Sequence, residues 1–322
     1  MAVERIGVDG MTPELKQTYD RILLSVAQKD AVFLQYGVKK PIPARGGKSI
    51  EFRRFERIDA TVGSYTLTEG TNPTETQGTI STVAATISQY GQFAKISDLL
   101  EIQGFDPVIE EYTRKFGLAM QELLDGTVRN VLSGATTIQY ADTATVVATS
   151  GAGAVGSGNY LDAAELQEMK RTLRRVGARP YTDGKYICFI HPDNTHDLFQ
   201  DPDIVDAFQH AAPRSPDNPL FSGMLGDWQG IRFIETNQLR VRSSYGMSGA
   251  DIYEVLMVGA EAYGVTELSA MSVRTIIHDK KSEGGPLEMY STVGWKAALA
   301  GVILNNDFMG LINCASSRSN SA

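Results

Sequence analysis

The segment His191-Pro192-Asp193-Asn194-Thr195-His196-Asp197 gathers two imidazoles and two carboxylates within one short stretch. A catalytic metal needs three well-placed protein ligands and an open position. This spacing fits no such template. The simpler reading is a strand ending at His191-Pro192, followed by a short helix over Asn194–Gln200 with Asp193 or Asn194 as its cap. Gly151-Ala-Gly153-Ala-Val-Gly156 matches the dinucleotide fingerprint letter by letter. Those glycines work only where a strand runs straight into a helix whose N-terminus meets the pyrophosphate. Here Ser157-Gly158-Asn159-Tyr160 intervene, so the stretch reads as a loop. Gly46-Gly47-Lys48-Ser49 resembles the end of a phosphate-binding loop, but Ile42 stands where the first glycine belongs and a strand pattern follows.

No nucleophile elbow is present, and neither cysteine has a base assigned by its sequence context. Glu110-Glu111, Asp201 and Asp203 read as solvated helix and turn residues; Trp228 and Trp295 read as packing anchors. The expectation is a non-enzyme: no catalytic residue, no cofactor and no metal.

Composition narrows the classes further. Hydrophobic residues make up 42% and charged residues 21%, ordinary for a folded globular chain. A net charge of −8 argues against tight nucleic-acid binding by bulk electrostatics, while leaving room for weak contact with DNA. Cys188 and Cys314 make no disulfide framework, and Cys188 reads as a small core residue. No secretory signal and no apolar run near twenty residues appear, so neither secretion by that route nor membrane insertion is expected.

The elements that would position these residues alternate irregularly, which favours an α+β fold. Thr12 caps a first helix with Pro13 at its first position and Leu15, Tyr19, Ile22, Leu23 and Val26 on one face. Ser49 to Ile58 reads as a strand with Ile50 and Phe52 on one face, and a phase slip at Arg53-Arg54 predicts a bulge. The stripe from Val108 through Phe116, Met120, Leu124 and Val128 to Leu132 predicts a helix of about 26 residues, near 40 Å long, started by Asp106 and ended at Gly134. Asp162 and Glu165 form a capping-box-like start for a second helix that Gly177 and Pro180 stop. Tyr186–Ile190, Ile231–Ile234, Ile252–Val258, Met271–Ile277 and Met289–Val293 read as strands, residues 211–230 as a loop, and the Ser-rich tail from Ala315 as disordered.

Between Arg57 and Lys95 the chain has no lysine or arginine and is rich in threonine. It reads as two strands joined by a long Gly/Asn/Pro-containing bend. Too few large apolar side chains are present to offset an ordering cost of roughly 1–2 kcal/mol per residue. A lone two-stranded ribbon is marginal in water, so this one must lie on something else, and a neighbouring subunit is the natural candidate.

The order of these segments resembles the major capsid proteins of tailed bacteriophages with the Hong Kong ninety-seven fold, and within them the branch of the coliphage N-four coat protein. The segments carrying the resemblance are Tyr65-Thr-Leu67-Thr-Glu69-Gly70-Thr-Asn72-Pro73, Ser88 to Asp98, Gly184 to Pro192 followed by Asp197-Leu198, and Val293-Gly-Trp295-Lys296. The resemblance implies an N-terminal arm over 1–48, an extended loop over 49–95 and a peripheral domain with its spine helix over 96–179. An axial domain would take 180–250, strands returning to the peripheral domain 251–314, and a disordered tail 315–322. It implies a virion protein, assembled in the host cytoplasm, whose copies form pentamers and hexamers of an icosahedral head around double-stranded DNA. Subunit contacts would involve Tyr65, Leu67, Glu69, Gly70, Asn72 and Pro73. A separate scaffolding protein, a portal and a decoration protein are the implied partners. The same fold also builds encapsulins, cargo-holding compartments, which is the alternative; a nucleotide-dependent enzyme using Gly151–Gly156 is a more remote one.

Overall fold

The computed structural model describes residues 31–42, 47–55, 67, 69–70, 78–103, 108–141, 155–211, 226–267, 273–278, 287 and 289–318. The expected Thr12–Val26 helix, the cap Asp106 and most of the ribbon's tip lie outside the described residues. In chain order the elements begin with α1 (Phe33–Tyr36), β1 (Val38–Lys40), β2 (Ser49–Phe55), β3 (Ile80–Thr86), β4 (Ser88–Ser97), α2 (Asp98–Gln103) and α3 (Val108–Leu132). There follow β5 (Ile138–Tyr140), α4 (Ala163–Val176), β6 (Tyr186–Ile190), α5 (Pro192–Leu198), α6 (Pro202–Ala211), β7 (Asp227–Trp228), β8 (Ile231–Glu235) and β9 (Val241–Arg242). The last are β10 (Ile252–Val258), β11 (Tyr263–Thr266), β12 (Val273–His278), β13 (Tyr290–Leu299), β14 (Gly301–Ile303) and β15 (Met309–Cys314).

β6, β10 and β15 are buried along their whole length. Strands covered on both faces have no reason to alternate apolar and polar residues, so they read as near-continuous apolar runs. They form the middle of a seven-stranded mixed sheet of order β5-β15-β10-β6-β8-β7, with β9 also pairing β10. Alternate residues divide between two cores. Ile187, Phe189, Leu256, Val258, Met309 and Leu311 pack with α3 and α1. Cys188, Ile190, Val255, Met257, Ile312 and Cys314 pack with α4 on the other side.

Both long helices follow their sequence patterns. α3 buries Phe116, Met120, Leu124, Val128 and Leu132, an i, i+4 row along its inner face. In α4, the Asp162 carboxylate accepts the Glu165 N–H at 2.9 Å, and Gly177 closes the helix at φ +85°, where a side chain would be strained. Leu166, Met169 and Leu173 are fully buried from its apolar face, each worth about 1.5–3 kcal/mol.

Four expectations change. β2 and β3 pair without interruption from Ser49↔Thr86 to Phe55↔Ile80, so there is no bulge at Arg53-Arg54. Arg54 follows Ile50 and Phe52 on the inward face, and its guanidinium is satisfied there by the Leu304 carbonyl at 3.1 Å. The tail is not disordered from Ala315: Ala315 and Ser316 are buried, and Asp197 accepts hydrogen bonds from Ser316 Oγ (2.8 Å) and from Ser317 N (3.0 Å) and Oγ. The boundary at 250 runs through a sheet, because β6 before it and β10 after it pair directly. Residues 31–42, expected in an arm, form part of the core: Ala31, Phe33 and Leu34 are buried, and β1 pairs with β11 in parallel.

Candidate assembly surfaces

The residues that could have formed catalytic or ligand sites are engaged elsewhere. His191 is the cap of α5, its Nδ1 accepting the Asp193 N–H at 3.2 Å, so the cap falls before the expected Asp193 or Asn194. Burial lowers the His191 pKa against the pull of the Asp193 and Glu235 carboxylates, the direction that favours an accepting ring nitrogen. The Asp193 carboxylate accepts the Tyr253 hydroxyl at 2.7 Å, the His196 ring faces the Gln200 amide, and Asp197 holds the tail serines. Among the described residues no group of three His, Cys, Asp or Glu side chains is arranged to hold a metal.

Residues 151–154 of the glycine loop lie outside the described residues, but its end is visible. Gly156 donates its N–H to Asn159 Oδ1 at 2.8 Å, and the chain then runs extended past Tyr160 before α4 begins. The first N–H groups of α4 are occupied by carboxylates: Glu165 by Asp162, and Ala163 by Asp201 Oδ2 at 2.7 Å. A phosphate would find two of these donors taken and two carboxylates opposing its charge there. At the other decoy, Gly47 turns the chain at φ +89° and Ser49 opens a strand, not a helix.

The ribbon is anchored at its base. Ile50, Phe52 and Ala85 are buried with Ala300, against half-buried Val302 and Leu304. Phe52 lies flat on Gly264 of β11, where a Cβ would come within 2.6 Å of the ring. Lys40 closes the edge, its ammonium donating to the Glu51 carbonyl and sitting over the Phe52 ring. Further out, among the described residues, Ile80 is 56% exposed and Leu67 72% exposed. Of the expected contact residues, Glu69 and Gly70 are exposed at a turn with Leu67 close by, whereas Tyr65, Asn72 and Pro73 lie outside the described residues.

A second uncovered surface escapes sequence reading. β4 pairs with β13 over ten residues, and β13 pairs with β12. The inner face of this sheet carries Ile96, Val273, Val293, Trp295 and Ala297, all buried. On the outer face Ile276, Gly294 and Phe93 stand in one row across the three strands, and Phe93 is 68% exposed. Gly294 is required there, since a Cβ would meet Phe93 Cβ at 2.9 Å. Arg274 and Lys296 flank the row on one side and Lys95 on the other, around a groove of about 570 Å³. The available signal was Phe93 itself: a large apolar residue on the opposite face of its strand from Ala94 and Ile96.

Both surfaces are faces and projections, suited to contact with another protein rather than to enclosing a small substrate. No curated protein matches the sequence significantly. The structure is similar to the capsid of Ralstonia phage GP4, at 14% identity and a TM-score of 0.70, covering 91% of this chain and 93% of that one. It is also similar to the cyanophage Pam1 capsid asymmetric unit, at 18% identity and a TM-score of 0.66, with 84% and 86% covered. The acidic stable capsid structure of Helicobacter pylori bacteriophage KHP30 matches at 12% identity and a TM-score of 0.63, with 86% and 87% covered. These likenesses establish the Hong Kong ninety-seven-like α+β capsid fold. The family model described as phage capsid protein matches residues 79–313, which takes in every core strand from β3 to β15. The chain therefore belongs to the phage capsid protein family, as a structural component of the virion and not an enzyme.

Proposed function

We propose that copies of this chain close into pentamers and hexamers of an icosahedral head around double-stranded DNA, and that the ribbon of each copy lies over an adjacent subunit. One observation carries the reading: the hairpin is fixed to the body at Ile50, Phe52 and Ala85, yet Ile80 and Leu67 beyond that root are uncovered. Apolar side chains held out on a fixed support gain burial only from another molecule. Tyr65, Leu67, Glu69, Gly70, Asn72 and Pro73 are the residues assigned to that contact. The seven-stranded sheet with α4, α5 and α6 is assigned to the axial domain. α3 with the β12-β13-β4 sheet is assigned to the peripheral domain, and the residues before Ala31 to the arm. A separate scaffolding protein, a portal and a decoration protein complete the particle, which assembles in the host cytoplasm.

The test is to delete Val62–Thr79 and rejoin the chain with a short Gly/Ser turn. Thermal unfolding of the unassembled subunit should change little, because the root stays in place. Shell formation, scored by negative-stain microscopy, should fail or become aberrant. Normal shells at normal yield would overturn the assignment. DNA rather than an enzyme cargo inside purified shells separates a phage head from a cargo-holding compartment.

A further inference from the structure

The chain carries eight more acidic than basic residues, yet its cations are not spread evenly. Lys170, Arg171, Arg174, Arg175 and Arg179 fall within ten residues, on the last turns of α4 and just beyond Gly177. Nearby carboxylates are already used. Glu168 pairs with Arg171, and Asp227 and Asp183 pair with Lys185 and Arg232. Among the described residues, Lys170, Arg174, Arg175 and Arg179 have no ion-pair partner. The three arginines are exposed.

Lys170, Arg174 and Arg179 line one open cleft of about 410 Å³ between the end of α4 and the turns before β6 and β8. Gly177, Gly184 and Gly230 form its rim, each at positive φ. A Cβ on Gly184 would meet nothing within 4 Å, so a ligand can approach the backbone there. Burial and the Arg174 guanidinium both lower the Lys170 pKa. Like charges are therefore held close together in a cleft whose described lining contains no carboxylate. Cations at a helix C-terminus complement its dipole, but two or three in the last turn suffice for that. They do not account for Arg179, which lies beyond the helix.

We infer that this cleft is a binding site for the phosphodiester backbone of nucleic acid. Guanidinium forks match phosphate oxygens two at a time, and a compact ammonium beside them adds a point charge. An otherwise acidic surface repels DNA, so contact has to be concentrated where cations are clustered and unpaired. This rests on the shell reading above and deepens it: the cleft would be the place where the packaged polyanion touches the subunit.

The test uses the full chain and a fluorescently labelled short DNA duplex, with affinity read by anisotropy over a salt series. Each lost phosphate contact should reduce the slope of log K against log salt by roughly 0.9. Arg174→Gln with Arg179→Gln should therefore flatten it by about 2 and weaken binding by about tenfold or more at low salt. Arg179→Gln alone, outside the helix, should give about half the slope change. Arg274→Gln with Lys296→Gln removes the same charge from the outer face of the β12-β13-β4 sheet and should leave affinity within about twofold. Equal losses from both double variants, or no loss from the first, would overturn the site. Tighter binding of polyglutamate than of DNA at the same cleft would also overturn it, in favour of an acidic protein partner. Shell formation is a separate readout: it tests the shell reading, whereas the affinity difference tests the cleft.

Discussion

Asp125, on the inner face of α3, accepts the backbone N–H of Phe33 at 2.9 Å, in a region from which water is excluded. The same carboxylate accepts the Val32 N–H at 3.2 Å, and the Phe33 carbonyl is taken by the Tyr263 hydroxyl at 2.6 Å. Phe33 is thus held at both of its backbone polar groups, and its ring lies 4.7 Å from that of Phe189. Asp125→Ala leaves two backbone donors without their acceptor. We expect a loss of about 1–3 kcal/mol in denaturant unfolding and faster proteolysis around residues 31–42.

The same residue gives a pH signature. Burial pushes the Asp125 pKa up to about 6, against the pull of the Val32, Phe33 and Leu34 amides and of Arg129. The folded form therefore binds a proton more tightly than the unfolded chain. Its contribution to stability rises as pH falls from about 6 towards 4 and is flat outside that window. At about 1.4 kcal/mol per unit the full swing is about 3 kcal/mol. Asp125→Asn should remove this slope when unfolding free energies are compared across the window; an unchanged slope would assign it to another group.

Gly264 is predicted to control the root of the ribbon. A Cβ there would press on the Phe52 ring from 2.6 Å. Gly264→Ala should cost about 1–3 kcal/mol by overpacking. Shell yield should fall further than that loss alone would explain, because the ribbon's direction is set at this contact. Melting temperature and shell yield measured on the same preparations separate the two effects.

The tail clasp should show a sharp length dependence. Truncation after Arg318 keeps Ser316 and Ser317 on Asp197 and should leave the melting temperature unchanged. Truncation after Ala315 strips the buried carboxylate of three donors and should cost about 1–3 kcal/mol.

Particles are predicted to be held without covalent cross-links. No lysine lies between Arg57 and Lys95 to form an isopeptide in the ribbon. Both cysteines are buried, and burial raises their thiols above the ordinary range, away from the reactive thiolate. Boiled particles should run as one band near 35.0 kDa with or without reductant. A ladder of denaturant-resistant multimers would contradict this.

Legibility followed local physics. α3 and α4 were readable because one helix face is apolar at regular spacing and their ends carry caps or glycine. β6 and β10 were readable as short, continuous apolar runs. β15 was not: Met309-Gly-Leu-Ile-Asn-Cys314 mixes a glycine and an amide into six residues. Gly310 is there because α4 approaches so closely that a Cβ would meet Met169 Sδ at 2.3 Å, a contact between residues far apart in sequence. The phase slip at Arg53-Arg54 does not produce a bulge, because Arg54 keeps the inward phase of Ile50 and Phe52. Its inward position becomes acceptable only once the Leu304 carbonyl, 250 residues away, is in place. The candidate surfaces divide in the same way. The ribbon announced itself by what it lacks, whereas the Phe93 row depends on which strands β4 and β13 pair with.

Among the described residues the central sheet ends in β5, three residues long, and β7, only two. Edges this short offer almost no template for adding a strand from another molecule. Subunits that have not yet met their proper neighbours would gain little by zipping together along these edges. The fold thus discourages uncontrolled aggregation through its largest sheet and leaves association to side-chain surfaces, where geometry selects the partner.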